Sequence, residues 1–221
     1  MKPIISSALF AVLFVSNANA QIKYGVKAGI NIANWQGDAV KSLGSVIDLT
    51  NGLVNTKSRT GFHIGGYVDI PLAENISIEP GLQYSQKGFT LVGNLKIDAL
   101  KFIGANASAK IQADYIDIPI LLKANLSKGL FVYAGPQVAV LVKNNLHLNA
   151  GILGISLFSQ DLNLTNNFNK TDITMVGGMG YRLDNGLQIA AGYDYGMSRV
   201  DKNSSFKAYN RAVKISVGLT F

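Results

Sequence analysis

Read back from Phe221, the chain alternates. Phe221, Leu219, Val217, Ile215 and Val213 fall on one side of an extended strand, and Thr220, Gly218, Ser216, Lys214 and Ala212 fall on the other. Successive side chains of a strand point to opposite faces, so this pattern gives one apolar and one polar face. Seven further stretches repeat it, at 22–33, 62–71, 76–88, 111–124, 130–143, 172–183 and 187–200. Each is long enough for a tilted strand to cross a bilayer, which takes about ten residues.

The connections narrow the choice further. Those at 72–75, 125–129 and 184–186 are short, and the last contains Asn185-Gly186, a step that favours positive φ and a tight hairpin. Those at 34–61, 89–110, 144–171 and 201–208 are longer. Short and long alternate strictly, which predicts an all-β fold: an eight-stranded antiparallel up-and-down transmembrane β-barrel with tight turns at one end. A closed ring has no free edge, so the strand ending at Phe221 is expected to pair with 22–33. In an outer-membrane barrel a final aromatic closes the last strand at the membrane interface, and Phe221 is the candidate for that signal.

Alternation alone leaves open which face is outside, since a soluble lipocalin-like barrel buries its apolar set. Three features favour lipid on the apolar side. Tyr24, Tyr84, Tyr181, Tyr193 and Tyr195 belong to the apolar set, where an interfacial belt needs them. The polar set is rich in glycine, which suits a crowded lumen, and eight strands leave an interior that side chains just fill. The polar set also carries Lys23, Lys27, His63, Asp69, Glu79, Lys87, Asp117, Lys123, Lys143, Asp172, Arg182, Asp194 and Lys214. Acids and bases are interspersed, which favours a salt-bridged plug over a single-sign selectivity ring. Within it, Lys27, His63, Asp69, Glu79, Lys87, Asp117, Lys123, Arg182, Asp194 and Lys214 form the candidate lumen charge network. Pro80, Pro119 and Pro136 interrupt strand stretches and are expected to need a bulge or an interior side chain. The run 138–142 is apolar on both faces, so part of the lumen beside it is expected to be dry.

Residues 1–20 read as a signal peptide: Lys2, an apolar core of about a dozen residues, and Ala18-Asn19-Ala20 before Gln21. The mature chain, 21–221, then forms one barrel domain. There is no cysteine, so disulfides and thiolate metal sites are excluded. The formal charge of +7 is scattered over single lysines, a pattern that offers no nucleic-acid footprint. His63 and His147 are the two histidines, and no metal-ligand spacing is present. His147 lies near Ser156, Ser159 and Asp161, but a catalytic triad is recognised by geometry that sequence lacks. The expectation is that the chain is not an enzyme and takes no cofactor or metal. The connection at 144–171 is unusually apolar, and Leu146-His147-Leu148 and Ile155-Ser156-Leu157 suggest a hairpin above the membrane. The first long connection, with Val40, Leu43, Val46, Ile47 and Leu53, suggests a short helix or cap.

The strand blocks resemble a known group. Residues 79–88 (EPGLQYSQKG) and 115–123 (YIDIPILLK) resemble signature strands of the PorT-like outer-membrane β-barrel family. Tyr133-Ala134-Gly135-Pro136-Gln137, 192–197 (GYDYGM) and 24–31 (YGVKAGIN) extend the likeness over the whole mature chain. The resemblance implies a porin-like barrel in the bacterial outer membrane and specifies no activity. The expected function is a structural or interaction role through the extracellular loops, with a narrow pore or small-ligand carrier as the alternative. Expected partners are outer-membrane lipid, the barrel-assembly machinery and an extracellular or periplasmic protein, around a monomeric barrel with no nucleic acid.

Overall fold

A computed structural model describes residues 21–37, 54–95, 105–152, 155–163, 165, 168–200 and 207–221; within its strands, the side chains of 54–56, 91–95, 105–109, 150–152 and 155–158 are left aside. The signal peptide at 1–20 and the cap suggested for the first long connection lie outside the described residues.

Nine strands follow in order: β1 (Lys23–Gln36), β2 (Val54–Ala73), β3 (Ile76–Leu95), β4 (Ala105–Asn125), β5 (Leu130–Ile152), β6 (Ile155–Asn163), β7 (Thr171–Arg182), β8 (Leu187–Gly196) and β9 (Tyr209–Thr220). Every pairing is antiparallel, and β4–β5 pairing closes the sheet into a ring. β6 pairs with β5 and stands outside the ring, so eight strands make the barrel. The seam is β1 against β9, with Ala28 opposite Val217 and Ile30 opposite Ile215. At its end, Tyr24 N–H donates to the Phe221 carbonyl (3.0 Å) and Phe221 N–H donates to the Tyr24 carbonyl (2.8 Å).

The faces are inverted relative to a soluble protein. Ile64, Leu82, Met179 and Val217 are each more than half exposed, whereas Asn31, Asp117, Lys123 and Asp194 are buried. Apolar residues on the outside of a closed barrel have lipid as their only favourable solvent. The lipocalin-like arrangement is thereby excluded. Exposed Tyr24, Tyr181, Tyr193 and Tyr195 lie on that outer face.

Two details differ from the sequence reading, the length of several strands and the handling of the prolines, while the hairpin suggested for the third long connection is present. Strands β2 to β5 continue well into connections that read as loops; β5 alone has 23 residues, about twice what a bilayer needs. The continuation of β5 pairs with β6 as a hairpin, His147 opposite Asp161 and Ile152 opposite Ile155. Pro80, Pro119 and Pro136 are not accommodated by bulges. At each the ladder skips rungs and resumes in the same register, as between Tyr67–Gly81 and Ile70–Ile78 around Pro80, and between Pro119–Gln137 and Leu122–Ala134 around Pro136. Proline lacks the N–H for its rung, and leaving that rung out costs less than shifting a register that keeps apolar residues in lipid.

Inward glycines make room for inward aromatics. A Cβ on Gly178 or Gly192 would lie 2.5 or 2.4 Å from the Tyr133 hydroxyl. A Cβ on Gly25 would meet the Tyr67 ring at 2.2 Å.

Candidate functional site: the sealed lumen

The inward positions of the eight strands stack into layers. At the periplasmic end, where the short turns lie, charges alternate in a chain: Arg182–Asp69 (3.5 Å), Asp69–Lys123 (3.2 Å), Lys123–Glu79 (3.4 Å) and Glu79–Lys27 (3.1 Å). Each carboxylate sits between two cations, the arrangement that offsets the cost of burying it. Lys123 Nζ also lies 4.5 Å from the centre of the Phe131 ring and Lys27 Nζ 5.2 Å from that of Tyr67.

The middle layer is a closed ring of ion pairs. Lys87 meets Asp117 (3.2 Å), Asp117 meets Lys214 (3.3 Å), Lys214 meets Asp194 (2.7 Å) and Asp194 returns to Lys87 (3.8 Å). Two cations and two carboxylates leave it neutral. Gln83 donates to Asp117 (3.3 Å) and to the Gln137 carbonyl oxygen (3.4 Å), and Gln137 donates to Asp194 (3.5 Å). Beside the ring, Asn31 Nδ2 donates to the Phe62 and Gln86 carbonyls and to Ser85. Its Oδ1 accepts from His63 Nδ1 (2.7 Å), which leaves His63 Nε2 to accept from Ser216 (2.8 Å). His63 is thus held in one tautomer as part of the packing.

Above the ring, Asp172 accepts from Ser198 and Asn210, both at 2.7 Å. Then the chemistry changes. Ala113, Tyr115, Ala139 and Leu141 form an apolar layer capped by Phe168, beside a second cluster of Trp35, Phe89, Val200 and Ala208. Trp35 packs on Phe89 (4.6 Å between ring centres) and on Phe168 (5.5 Å). Ala139 and Leu141 are the inward residues of the run 138–142, so the dry patch read from the sequence exists and its partners are these aromatics.

All ten residues of the candidate network line the lumen, nine of them in ion pairs and His63 in the hydrogen-bonded cluster. Lys23 and Lys143 do not join them; both are exposed. Lys23 sits at the periplasmic mouth, and Lys143 lies past a register shift at Asp114/Tyr115 that changes which way the strand's residues point. Sequence reasoning missed Asn31, Gln83 and Gln137, although their position on the polar face was a sufficient signal. It also missed Trp35 and Phe168; Phe168 lies among asparagines in a connection, with no periodic signal. Between the two charged layers a cavity of about 40 Å³ remains, space for about three waters. Among the described residues, no cluster of His, Asp or Glu is arranged to hold a metal ion.

Residues 15–202 match the family model described as outer membrane protein beta-barrel domain. The chain belongs to that family. This outer-membrane barrel is therefore an integral protein of the bacterial outer membrane, with its apolar belt in lipid. Comparison with curated proteins returned no match. Among solved structures it is similar to Ail of Yersinia pestis in complex with the heparin analogue sucrose octasulfate, at 12% identity over 91% of this chain and 99% of that one, TM-score 0.46. It is also similar to Neisserial surface protein A, at 13% identity over 92% and 100% of the two chains, TM-score 0.40. The N-terminal barrel domain of Pseudomonas aeruginosa OprF follows at 12% identity over 92% and 100%, TM-score 0.35. The family match, and not these likenesses, carries the assignment.

Proposed function

We propose that the barrel is a sealed membrane anchor that presents an interaction surface on its extracellular side, and does not work as a pore. The observation that carries this reading is the contrast between the two ends of the molecule. The lumen is filled by ion pairs and capped by aromatics, while β2 to β6 continue outward far beyond the length a bilayer needs. A protein selected for transport has no use for such a plug, and one selected for display has every use for rigid strand extensions. The same proposal includes residues 1–20 as a removed signal peptide, Phe221 as the closing residue handled by the barrel-assembly machinery, and a monomer surrounded by outer-membrane lipid. It includes an extracellular or periplasmic protein partner and no nucleic acid.

Membership of the PorT-like group belongs to this proposal as well, supported by the blocks at 79–88 and 115–123, which pair with each other as the neighbouring strands β3 and β4. So does the absence of catalysis. Among the described residues His147 hydrogen-bonds to Asp161, and none of the described hydroxyls is set up as a nucleophile beside it. The runner-up, a narrow pore or small-ligand carrier, has the small internal cavity in its favour.

Two measurements on the full chain test the reading. Reconstituted in planar bilayers, the barrel is expected to show no steady single-channel steps. A photo-crosslinker at Gln160 on β6, in intact cells, is expected to give a discrete protein adduct. Steady conductance, with no adduct at β6, would establish the pore and overturn the display role.

A further inference from the structure

The two rims of the barrel differ in charge. On the periplasmic rim signs are mixed: Lys128 lies 4.0 Å from Asp184, and the same rim carries Lys23 at the start of β1 and Glu74 in the turn between β2 and β3. At the outer end of β7, β8 and β9, the described residues show cations only. Lys170, Arg199 and Lys207 are exposed and Arg211 is half-buried. None of the four makes an ion pair with a described residue. Among the described residues the acid close by in sequence is Asp172, which points inward and is engaged by Ser198 and Asn210. The connection 201–206 adds one acid and one base, Asp201 and Lys202, and leaves the balance unchanged.

Arg211 is built into this rim. It faces outward on β9, opposite Tyr195 on β8 and Asn34 on β1. Its guanidinium lies 3.8 Å from the centre of the Tyr195 ring and 5.9 Å from that of Tyr209. Nη1 donates to the carbonyls of Gly196 (2.6 Å) and Asn210 (2.8 Å). Nη2 donates to no described residue. The group is thus a planar cation fixed by carbonyls and aromatics, with donors uncommitted, the form suited to an oxyanion. Directly below it the outer face is apolar, with Val213 and Tyr193 exposed, and Tyr195 is exposed at its own level. Along β9, Arg211 therefore stands where the exposed apolar residues end, the level at which headgroups are met.

We propose that the outer rim of β7–β9 binds a phosphate-bearing headgroup of an outer-leaflet lipid, with Arg211 as the anchor and Arg199 and Lys207 as flanking cations. The height of the site selects the source. An anion carried by the membrane reaches an outward-facing group just above the apolar belt without leaving the bilayer, and a basic cluster at a membrane surface attracts anionic headgroups. This assignment goes beyond the display role and does not depend on it. It needs only that the barrel sits in the membrane.

The test uses the full chain refolded in detergent and titrated with a diphosphorylated, acylated glucosamine disaccharide, with the same glycolipid stripped of its phosphates, and with inorganic phosphate. Each cation at a membrane surface is worth about fivefold in binding. Arg211→Gln is expected to weaken binding of the phosphorylated glycolipid about fivefold, and Arg199→Gln with Lys207→Gln about twenty-fivefold. Lys128→Gln on the opposite rim is expected to change nothing. A mobility shift on boiling checks that each variant is folded. If Arg211→Gln fails that check, the exposed double variant decides. Equal binding of the stripped glycolipid overturns the proposal, as does an equal loss in Lys128→Gln. Full competition by inorganic phosphate shows a site for free oxyanions and overturns the membrane source.

Discussion

Lys87 and Asp117 meet 3.2 Å apart at the middle of the barrel, their side chains 1% and 0% exposed. Neither has water to turn to, and each is held by a second partner across the lumen. Removing one member of such a pair leaves a buried charge uncompensated, which costs about 3–5 kcal/mol. Lys87→Met is therefore expected to destabilise the refolded barrel by about 3 kcal/mol, measured by urea unfolding in lipid vesicles. Asp117 retains Lys214 in that variant, which places the cost at the low end. A loss below about 1 kcal/mol, the size of an exposed pair, would mean that water reaches the ring.

Tyr133 and its two glycines give a prediction about packing. A Cβ at Gly192 meets the Tyr133 hydroxyl at 2.4 Å, and the ring carbon behind it at 3.3 Å. Overpacking of this kind costs about 1–3 kcal/mol. Gly192→Ala is expected to fall in that range, and Tyr133→Phe is expected to relieve most of it by removing the clashing oxygen. Gly178→Ala behaves differently, because its Cβ would also lie 2.4 Å from the Ala191 carbonyl. That backbone atom stays put, so Tyr133→Phe leaves the penalty largely in place. Equal rescue in both double variants would contradict this packing.

How much of this was legible depends on where lipid is. Within the bilayer the apolar face of each strand must be apolar, so β1 and β9 are readable as alternation, and with them the ring and its seam. Above the bilayer that requirement lapses. Residues 105–110 (ANASAK) alternate small with polar and have no apolar face, so they read as a loop although β4 runs through them. Lumen charges were legible from their parity along each strand. Which acid meets which base was not, because that depends on the stagger between strands: Lys27 of β1 reaches Glu79 of β3 across the interior. The aromatic cap was illegible for another reason. Trp35 near the end of β1, Phe89 within β3 and Phe168 in a connection come from three separated segments, and no local pattern records that they meet.

A substitution at Phe221 is expected to act on assembly more than on stability. The Phe221 backbone makes the last rung with Tyr24, while its side chain is 70% exposed on the lipid face. Phe221→Ala keeps both backbone bonds and removes only the ring. The refolded variant is expected to lose less than about 1 kcal/mol, within the worth of a single hydrogen bond. If the ring is what the assembly machinery engages, the amount of folded barrel in the outer-membrane fraction of cells falls several-fold. Unchanged cellular yield would remove that role from Phe221.

The outward belt makes the most direct prediction about orientation. Ile215 lies midway along β9, facing lipid between Ile30 of β1 and Ala191 of β8. Leu219 lies on the same face two alternation steps nearer the periplasm, between Val26 and Leu187. A lysine at the bilayer midplane of a barrel costs about 2–4 kcal/mol, and one near the interface about 0–1 kcal/mol. Ile215→Lys is therefore expected to cost several times as much as Leu219→Lys in urea unfolding from vesicles. The gradient arises because the longer path from midplane to water forces the ammonium to drag solvent or thin the bilayer, whereas near the interface the side chain reaches headgroups by extending. In detergent micelles, which deform more easily, the difference between the two variants shrinks. Equal costs in vesicles would place Ile215 and Leu219 at the same depth and would force a different tilt for the strands.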